Sequence, residues 1–177
     1  MFGFSFDPNL SKEEFYKELT KTLRALVSGQ RDLITNLANA SSLIYHALNS
    51  LNAFKTKPVN WAGFYLTAKD NASLLRLGPF QGKVACTEIK FGRGVCGAAA
   101  STGKTQVVPN VHDFPGHIAC DSSSVSEIVV PIVSPASGRV LGVLDIDDEG
   151  PEAFGEADKA GLETVVQILL ESCDWTE

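Results

Sequence analysis

"VCGAAASTGKTQ", residues 95–106, decides how the middle of the chain is read. It contains Gly103-Lys104-Thr105, the ending of a phosphate-binding loop. Such a loop needs its leading glycine five positions before the second, with a strand before it and a helix after it. That position holds Ala98, and Gly97 comes one residue too early. The alanine-rich run "GVCGAAAS" reads instead as a short helix, ended by Ser101-Thr102-Gly103. Gly103-Lys104-Thr105 then lies at a helix C-terminus, the wrong end of the dipole for phosphate.

Around that helix the pattern is one of short strands. "WAGFYLT" and "SLLRLG" form a first pair joined by "AKDNA", and "CTEIKF" a third strand. "TQVVP" is a short fourth, followed by a polar loop over residues 109–125. "EIVVPIV" and "RVLGVLDID" make a hairpin around Pro135-Ala136-Ser137-Gly138. Helices flank this region. Ser11-Lys12-Glu13-Glu14 reads as a capping box opening a helix to about Val27. A second helix runs from about Arg31 to Leu51, with Leu33, Leu37, Ile44, Leu48 and Leu51 as one apolar stripe and His46 off it. A last helix runs from about Phe154 or Glu156 to Cys173. Helices, meandering strands and a final helix predict an α+β domain, an antiparallel sheet covered by helices.

The chain has 177 residues, 44% apolar and 20% charged, the size and composition of one soluble domain. A net charge of −6, with no run of Lys or Arg, argues against a nucleic-acid partner. No apolar stretch reaches the roughly 18 residues of a membrane span, and the N-terminus has no signal-peptide pattern. The expectation is a cytoplasmic protein with reduced thiols. Its four cysteines, Cys86, Cys96, Cys120 and Cys173, contain no C-x-x-C pair. Cys173 reads as a buried apolar residue; the other three lie within 35 residues beside glycines or loops.

Side chains alternate along strands. Trp61, Gly63 and Tyr65 therefore share a face, two aromatics with a hollow between them. On the last strand, Val140, Gly142, Leu144 and Ile146 point one way, and Leu141, Val143, Asp145 and Asp147 the other. Two carboxylates two residues apart on one face are roughly 7 Å apart. Glu127 opens the partner strand and falls opposite residues 145–147, so the three acids converge if the register pairs them. Such a group can hold a ligand ammonium, bind a hard metal or keep a proton ready for acid catalysis. Cys120, seven residues before Glu127, adds a thiol, the second element of thiolate attack with protonation of the oxygen left behind. A metal site of His112, His117 and Cys120 is the alternative.

"NWAGFY", "LGPFQGKVAC", "GRGVCG", "AAST", "PGHIACD", "SEIVVPI" and "LGVLDID" together resemble the free methionine-(R)-sulfoxide reductases, enzymes built on a GAF domain. The resemblance spans roughly residues 30–175. It implies a six-stranded antiparallel sheet covered by helices, with residues 31–177 as the GAF domain and an N-terminal helical extension over 1–30. It implies that Cys120 is the nucleophile, Cys86 the resolving cysteine that forms a disulfide with it, and Cys96 an auxiliary thiol. Glu127, Asp145 and Asp147 match the acidic pocket residues, Glu127 and Asp147 as candidates for the acid step. Trp61 and Tyr65 match the aromatic wall. Backbone N–H groups of the 109–125 loop are candidates for the substrate carboxylate. The resemblance further implies thioredoxin as reductant, no bound cofactor or metal, and a possible homodimer. The competing readings are a GAF small-molecule sensor, a thiol redox switch and a metal-binding module on the acidic cluster.

Overall fold

The computed structural model describes residues 4–116 and 121–176. Helix α1 (Lys12–Leu26) opens on the expected capping box: the Ser11 hydroxyl accepts from the Glu14 backbone N–H, and the Glu14 carboxylate accepts from the Ser11 N–H at 3.2 Å. Helix α2 (Leu33–Ser50) is capped by Asp32, whose carboxylate accepts from the Thr35 N–H at 2.8 Å. Leu37, Ile44 and Leu48 of its stripe are wholly buried, and His46 is exposed. The following elements are β1 (Val59–Ala68), β2 (Asn71–Gly82), β3 (Glu88–Lys90), α3 (Gly94–Thr102), β4 (Gln106–Val108), β5 (Ser126–Val133), β6 (Val140–Asp148) and α4 (Glu156–Ser172).

The strands form one antiparallel sheet in the order β3-β2-β1-β6-β5-β4. This is the six-stranded, helix-covered architecture expected. Helix α3 ends at Gly103 in the left-handed conformation, φ 63°, a backbone state glycine adopts without a steric penalty. Gly103-Lys104-Thr105 therefore follows a helix instead of preceding one.

Alternation along the strands feeds two cores. Ala62, Phe64, Ile128, Val130, Leu144 and Ile146 face α1, α2 and α4 in the larger one. Trp61, Tyr65, Val129 and Val143 face α3 in a smaller one, with Val95, Cys96 and Ala99. The strict alternation expected for β6 fails at its start. The β5–β6 register shifts between Ile132 and Val133, so Leu141 joins the larger core and Val140 packs against the smaller one.

The chain's two ends are joined across the larger core. Asp158, wholly buried near the start of α4, accepts from Lys12 Nζ at 2.5 Å, Tyr16 Oη at 3.0 Å and the Gly155 N–H at 2.8 Å. The Lys12 ammonium also donates to the Ala153 carbonyl at 2.6 Å and lies 5.5 Å from the Phe54 ring centre. Each oxygen of a buried carboxylate is thereby satisfied, the condition under which such a pair is tolerated.

Candidate active site

Strand register assembles the site. Across the middle of the sheet Trp61 pairs with Asp147, and Asp147 with Glu127; one step along, Gly63 pairs with Asp145, and Asp145 with Val129. Residues directly opposite each other share a face. The register expected for Glu127 is therefore the one observed, and all three carboxylates lie on the α3 side. Helix α3 covers them with its N-terminal turn, so that Arg93, Gly94, Val95 and Cys96 form one wall of a cavity and Glu127, Asp145 and Asp147 another. Asp121 and Ser124 complete it. The cavity measures about 30 Å³, room for a water or two.

The electrostatics follow from crowding like charges away from water. Burial, then the charges of Asp145 and Asp147, push the Glu127 carboxyl well above its ordinary range. Burial, then Asp145, do the same to Asp147. Burial raises Asp145 only to about 6, because the Cys96 thiol and the Glu127 carboxyl donate hydrogen bonds to it. Its Oδ1 has no partner among the described residues. Burial, then Asp145 and Glu127, push the Cys96 thiol up as well, and its Sγ lies 4.0 Å from Glu127 Oε1. The cluster is a store of protons facing a cavity, and a cation entering it would release them.

The aromatic pair is arranged differently from the expectation. The space over Gly63 is no hollow: a Cβ there would meet Trp61 Cη2 at 2.7 Å and collide with Phe80 Cβ. The indole folds back over the glycine and stacks on both neighbours, with centroids 5.8 Å from Tyr65 and 5.2 Å from Phe80. Trp61 and Tyr65 belong to the packed layer around the cavity, and the cavity's own wall is formed by the residues named above. Trp61 Nε1 is buried with no partner among the described residues. Tyr65 Oη donates to the Cys86 carbonyl at 3.0 Å, tying β1 to the connection that carries Cys86.

Cys86 is disulfide-bonded, and Cys96 and Cys173 are free thiols. Cys120 and His117 lie outside the described residues. His112 sits in a short 3₁₀ turn, Val111–Asp113. Among the described residues, the group with metal-ligand spacing is Cys96, Glu127 and Asp145.

Four contributors went unassigned in the sequence. Asn60 Nδ2 donates to Ser124 Oγ at 3.0 Å and Asp121 Oδ2 at 3.2 Å, holding the cavity rim to β1. Asp121 itself accepts from the Ser123 N–H at 3.0 Å and faces Lys83 Nζ at 3.5 Å. Arg93 stands exposed at the cavity, in no ion pair among the described residues. The backbone N–H groups of Gly94, Val95 and Cys96 are the fourth: at a helix start they have no intrahelical acceptor. Asn60 and Asp121 do sit within quoted motifs, "NWAGFY" and "PGHIACD". The helix start was foreshadowed by "GRG", whose Gly92 and Gly94 take φ of 79° and 62°.

Residues 12–169 match the GAF domain family. The chain is 50% identical over 169 residues to the free methionine-R-sulfoxide reductase of Saccharomyces cerevisiae, covering 96% of this chain and 91% of that protein. It is 44% identical over 160 residues to the free methionine-R-sulfoxide reductase of Escherichia coli, covering 90% and 89%. The X-ray structure of the free methionine-R-sulfoxide reductase from Neisseria meningitidis in complex with its substrate superposes with a TM-score of 0.87. That enzyme is 40% identical, with 97% of this chain and 95% of the other covered.

Proposed function

Because this chain belongs to the GAF-domain family of free methionine-R-sulfoxide reductases, we propose that it reduces free L-methionine (R)-sulfoxide to methionine. The observation that carries this reading is the convergence of Glu127, Asp145 and Asp147 on one cavity beneath the α3 N-terminus. A free amino acid is larger than the water or two this cavity admits, so it enters by spreading the walls and brings one group for each of them. Its ammonium neutralises the carboxylates, and its carboxylate accepts from the unpaired N–H groups of Gly94, Val95 and Cys96, with the helix dipole and Arg93 adding positive potential. The 109–125 loop contributes Asp121 and Ser124 to the rim.

In the reaction, the Cys120 thiolate attacks the sulfoxide sulfur. A protonated acid of the cluster, Glu127 or Asp147, gives its proton to the oxygen, which would otherwise leave as a bare oxide. The oxygen then passes to the Cys120 sulfur as the bond between the two sulfurs breaks, so that Cys120 is left as a sulfenic acid, oxidised by two electrons, and methionine departs, its sulfur reduced by two. The Cys86 thiol then condenses with the sulfenic acid, forming a disulfide and water. Thioredoxin returns two electrons and two protons to restore both thiols. Cys96 has no required step in this sequence. Trp61 and Tyr65 enclose the methylthio end by way of the packed layer, which excludes water from the reacting sulfur.

Restriction to the free amino acid has the same origin. A peptide-bound residue has an uncharged amide in place of the ammonium and would leave buried carboxylates unpaired.

The test is chiral separation of residual substrate after incubating the protein, thioredoxin and its reductase with racemic free methionine sulfoxide. Loss of the R epimer alone is expected. Loss of both epimers, or of neither, would refute the assignment; in the second case a GAF binding module becomes the better description.

A further inference from the structure

Cys96 is a buried thiol on the cavity wall that the proposed reaction does not use. Its Sγ and one oxygen each of Glu127 and Asp145 lie within 4.8 Å of one another, all three residues buried. We propose that these three side chains form a site for a divalent cation of intermediate softness, Zn²⁺ being the type, and that this cation and the substrate ammonium exclude each other. The exclusion rests on the reductase reading; the cation site does not.

The donor set argues for this class of ion. Zn²⁺ takes thiolate at about 2.3 Å and carboxylate oxygen at about 2.0–2.2 Å in a tetrahedral shell. Donors about a common ion at those lengths are roughly 3.5 Å apart, so each of the three moves inward by about half an ångström. Cys96 Sγ and Glu127 Oε1 are already at 4.0 Å. Asp145 supplies an independent indication: it lines the cavity, is 6% exposed, and its Oδ1 has no partner among the described residues. Asp147 lines the same wall outside this group of three, and water completes the shell. One thiolate and two carboxylates balance a doubly charged ion to within one charge, and the cavity of about 30 Å³ suits an ion with a water. Mg²⁺ and Ca²⁺ call for six or more oxygen ligands, which a three-residue set containing sulfur does not provide.

The oxidised protein, in which Cys86 is disulfide-bonded, is the form to test. It is titrated with Co²⁺, a spectroscopic stand-in for Zn²⁺, and the thiolate-to-metal charge-transfer band is followed; Zn²⁺ affinity comes from displacement. A single equivalent is expected to give the band, Zn²⁺ to abolish it and Mg²⁺ to leave it. Cys96→Ser should remove the band and Cys173→Ser retain it, while Asp145→Asn should weaken Zn²⁺ at least tenfold. No band, or a band that survives Cys96→Ser, overturns the site. Should Cys96→Ser fail to fold, Asp145→Asn decides alone, and unchanged Zn²⁺ affinity overturns the site. Free methionine sulfoxide should then raise the apparent Zn²⁺ dissociation constant in proportion to its concentration; no rise overturns the exclusion and leaves the cation site standing. A protein that binds Zn²⁺ in this way but reduces no sulfoxide would refute the reductase reading alone.

Discussion

Replacing Asp148 by Asn should stabilise the protein at neutral pH. The side chain is 1% exposed. Its Oδ1 accepts from the Gly150 N–H at 2.6 Å, and its Oδ2 has no partner among the described residues. Burial raises its pKa from 3.8 to about 6, against the opposing pull of the Gly150 N–H, Lys12 and Lys57. In the folded chain the proton is therefore held to about pH 6, whereas the unfolded chain releases it near 3.8. Stability from this residue is full below the lower value, falls as pH rises between the two, and is gone above the higher. Each pH unit between them corresponds to roughly 1.4 kcal/mol, so the ionised group costs the fold up to about 3 kcal/mol at neutral pH. Asn keeps the carbonyl that receives the Gly150 N–H but leaves an amide N–H unpaired, which takes back about 1–2 kcal/mol. The net gain is about 1–2 kcal/mol, or roughly 3–6 °C in melting temperature for a domain of this size. Calorimetry of both proteins at about pH 7.5 and about pH 4 checks it. The variant should be the more stable protein at the higher pH and, with the unpaired amide N–H no longer offset, about 1 kcal/mol the less stable at the lower. A less stable variant at neutral pH, or an equal shift at both, would show that the buried charge is not the cause. Asp148 does not line the cavity, so turnover should stay within about twofold.

Other perturbations separate packing from chemistry. Gly63→Ala drives a methyl into Phe80 and the Trp61 ring; it should cost about 1–3 kcal/mol and alter the near-ultraviolet dichroism of the indole, and an unchanged spectrum would contradict the stacking. Asp158→Ala strips the acceptor from Lys12, Tyr16 and Gly155 and should cost about 3–5 kcal/mol in urea unfolding; a loss under about 1 kcal/mol would mean the contact is ornamental. Arg93→Gln should raise KM for free methionine sulfoxide several-fold with kcat little changed, whereas an unchanged KM would remove the guanidinium from substrate binding. Cys86→Ser should still release about one methionine per chain in a single turnover but lose steady-state turnover with thioredoxin. Undiminished steady-state rates would hand the resolving role to Cys96.

The sheet and helices were legible because local signals agreed. The Ser11–Glu14 box, the leucine stripe and the Gly103 stop each matched the element they forecast. The acidic cluster was legible for a related reason: alternation put Asp145 and Asp147 on one face, and the hairpin turn at Ser134 and Arg139 fixed Glu127 against them. Two readings failed where packing overrode alternation. The register shift beside Val133 turned Leu141 to the larger core, and the Trp61 indole filled the space its own strand left over Gly63. No periodic pattern can announce such an event. The α3 N-terminus is hidden in the sequence because backbone N–H groups carry no residue type to read. Asn60 acts through contacts to Asp121 and Ser124 on a loop distant in sequence, and spacing along one strand says nothing of those.

The Lys12–Asp158 contact also marks a late event in the making of the molecule. The partners stand 146 positions apart, and Arg31 Nε reaches Asp174 at 2.6 Å across 143 more. A ribosome delivers α1 before every strand of the sheet and α4 after them all, so the buried face of α1, Phe15, Leu19 and Leu23, waits for its α4 partner while the sheet is made. Contacts this distant in sequence close late, after the loop entropy between them has been overcome. Until then the nascent chain carries an apolar helix in need of chaperone cover. Any truncation that removes α4 strands α1 in that condition permanently, although neither helix lines the cavity.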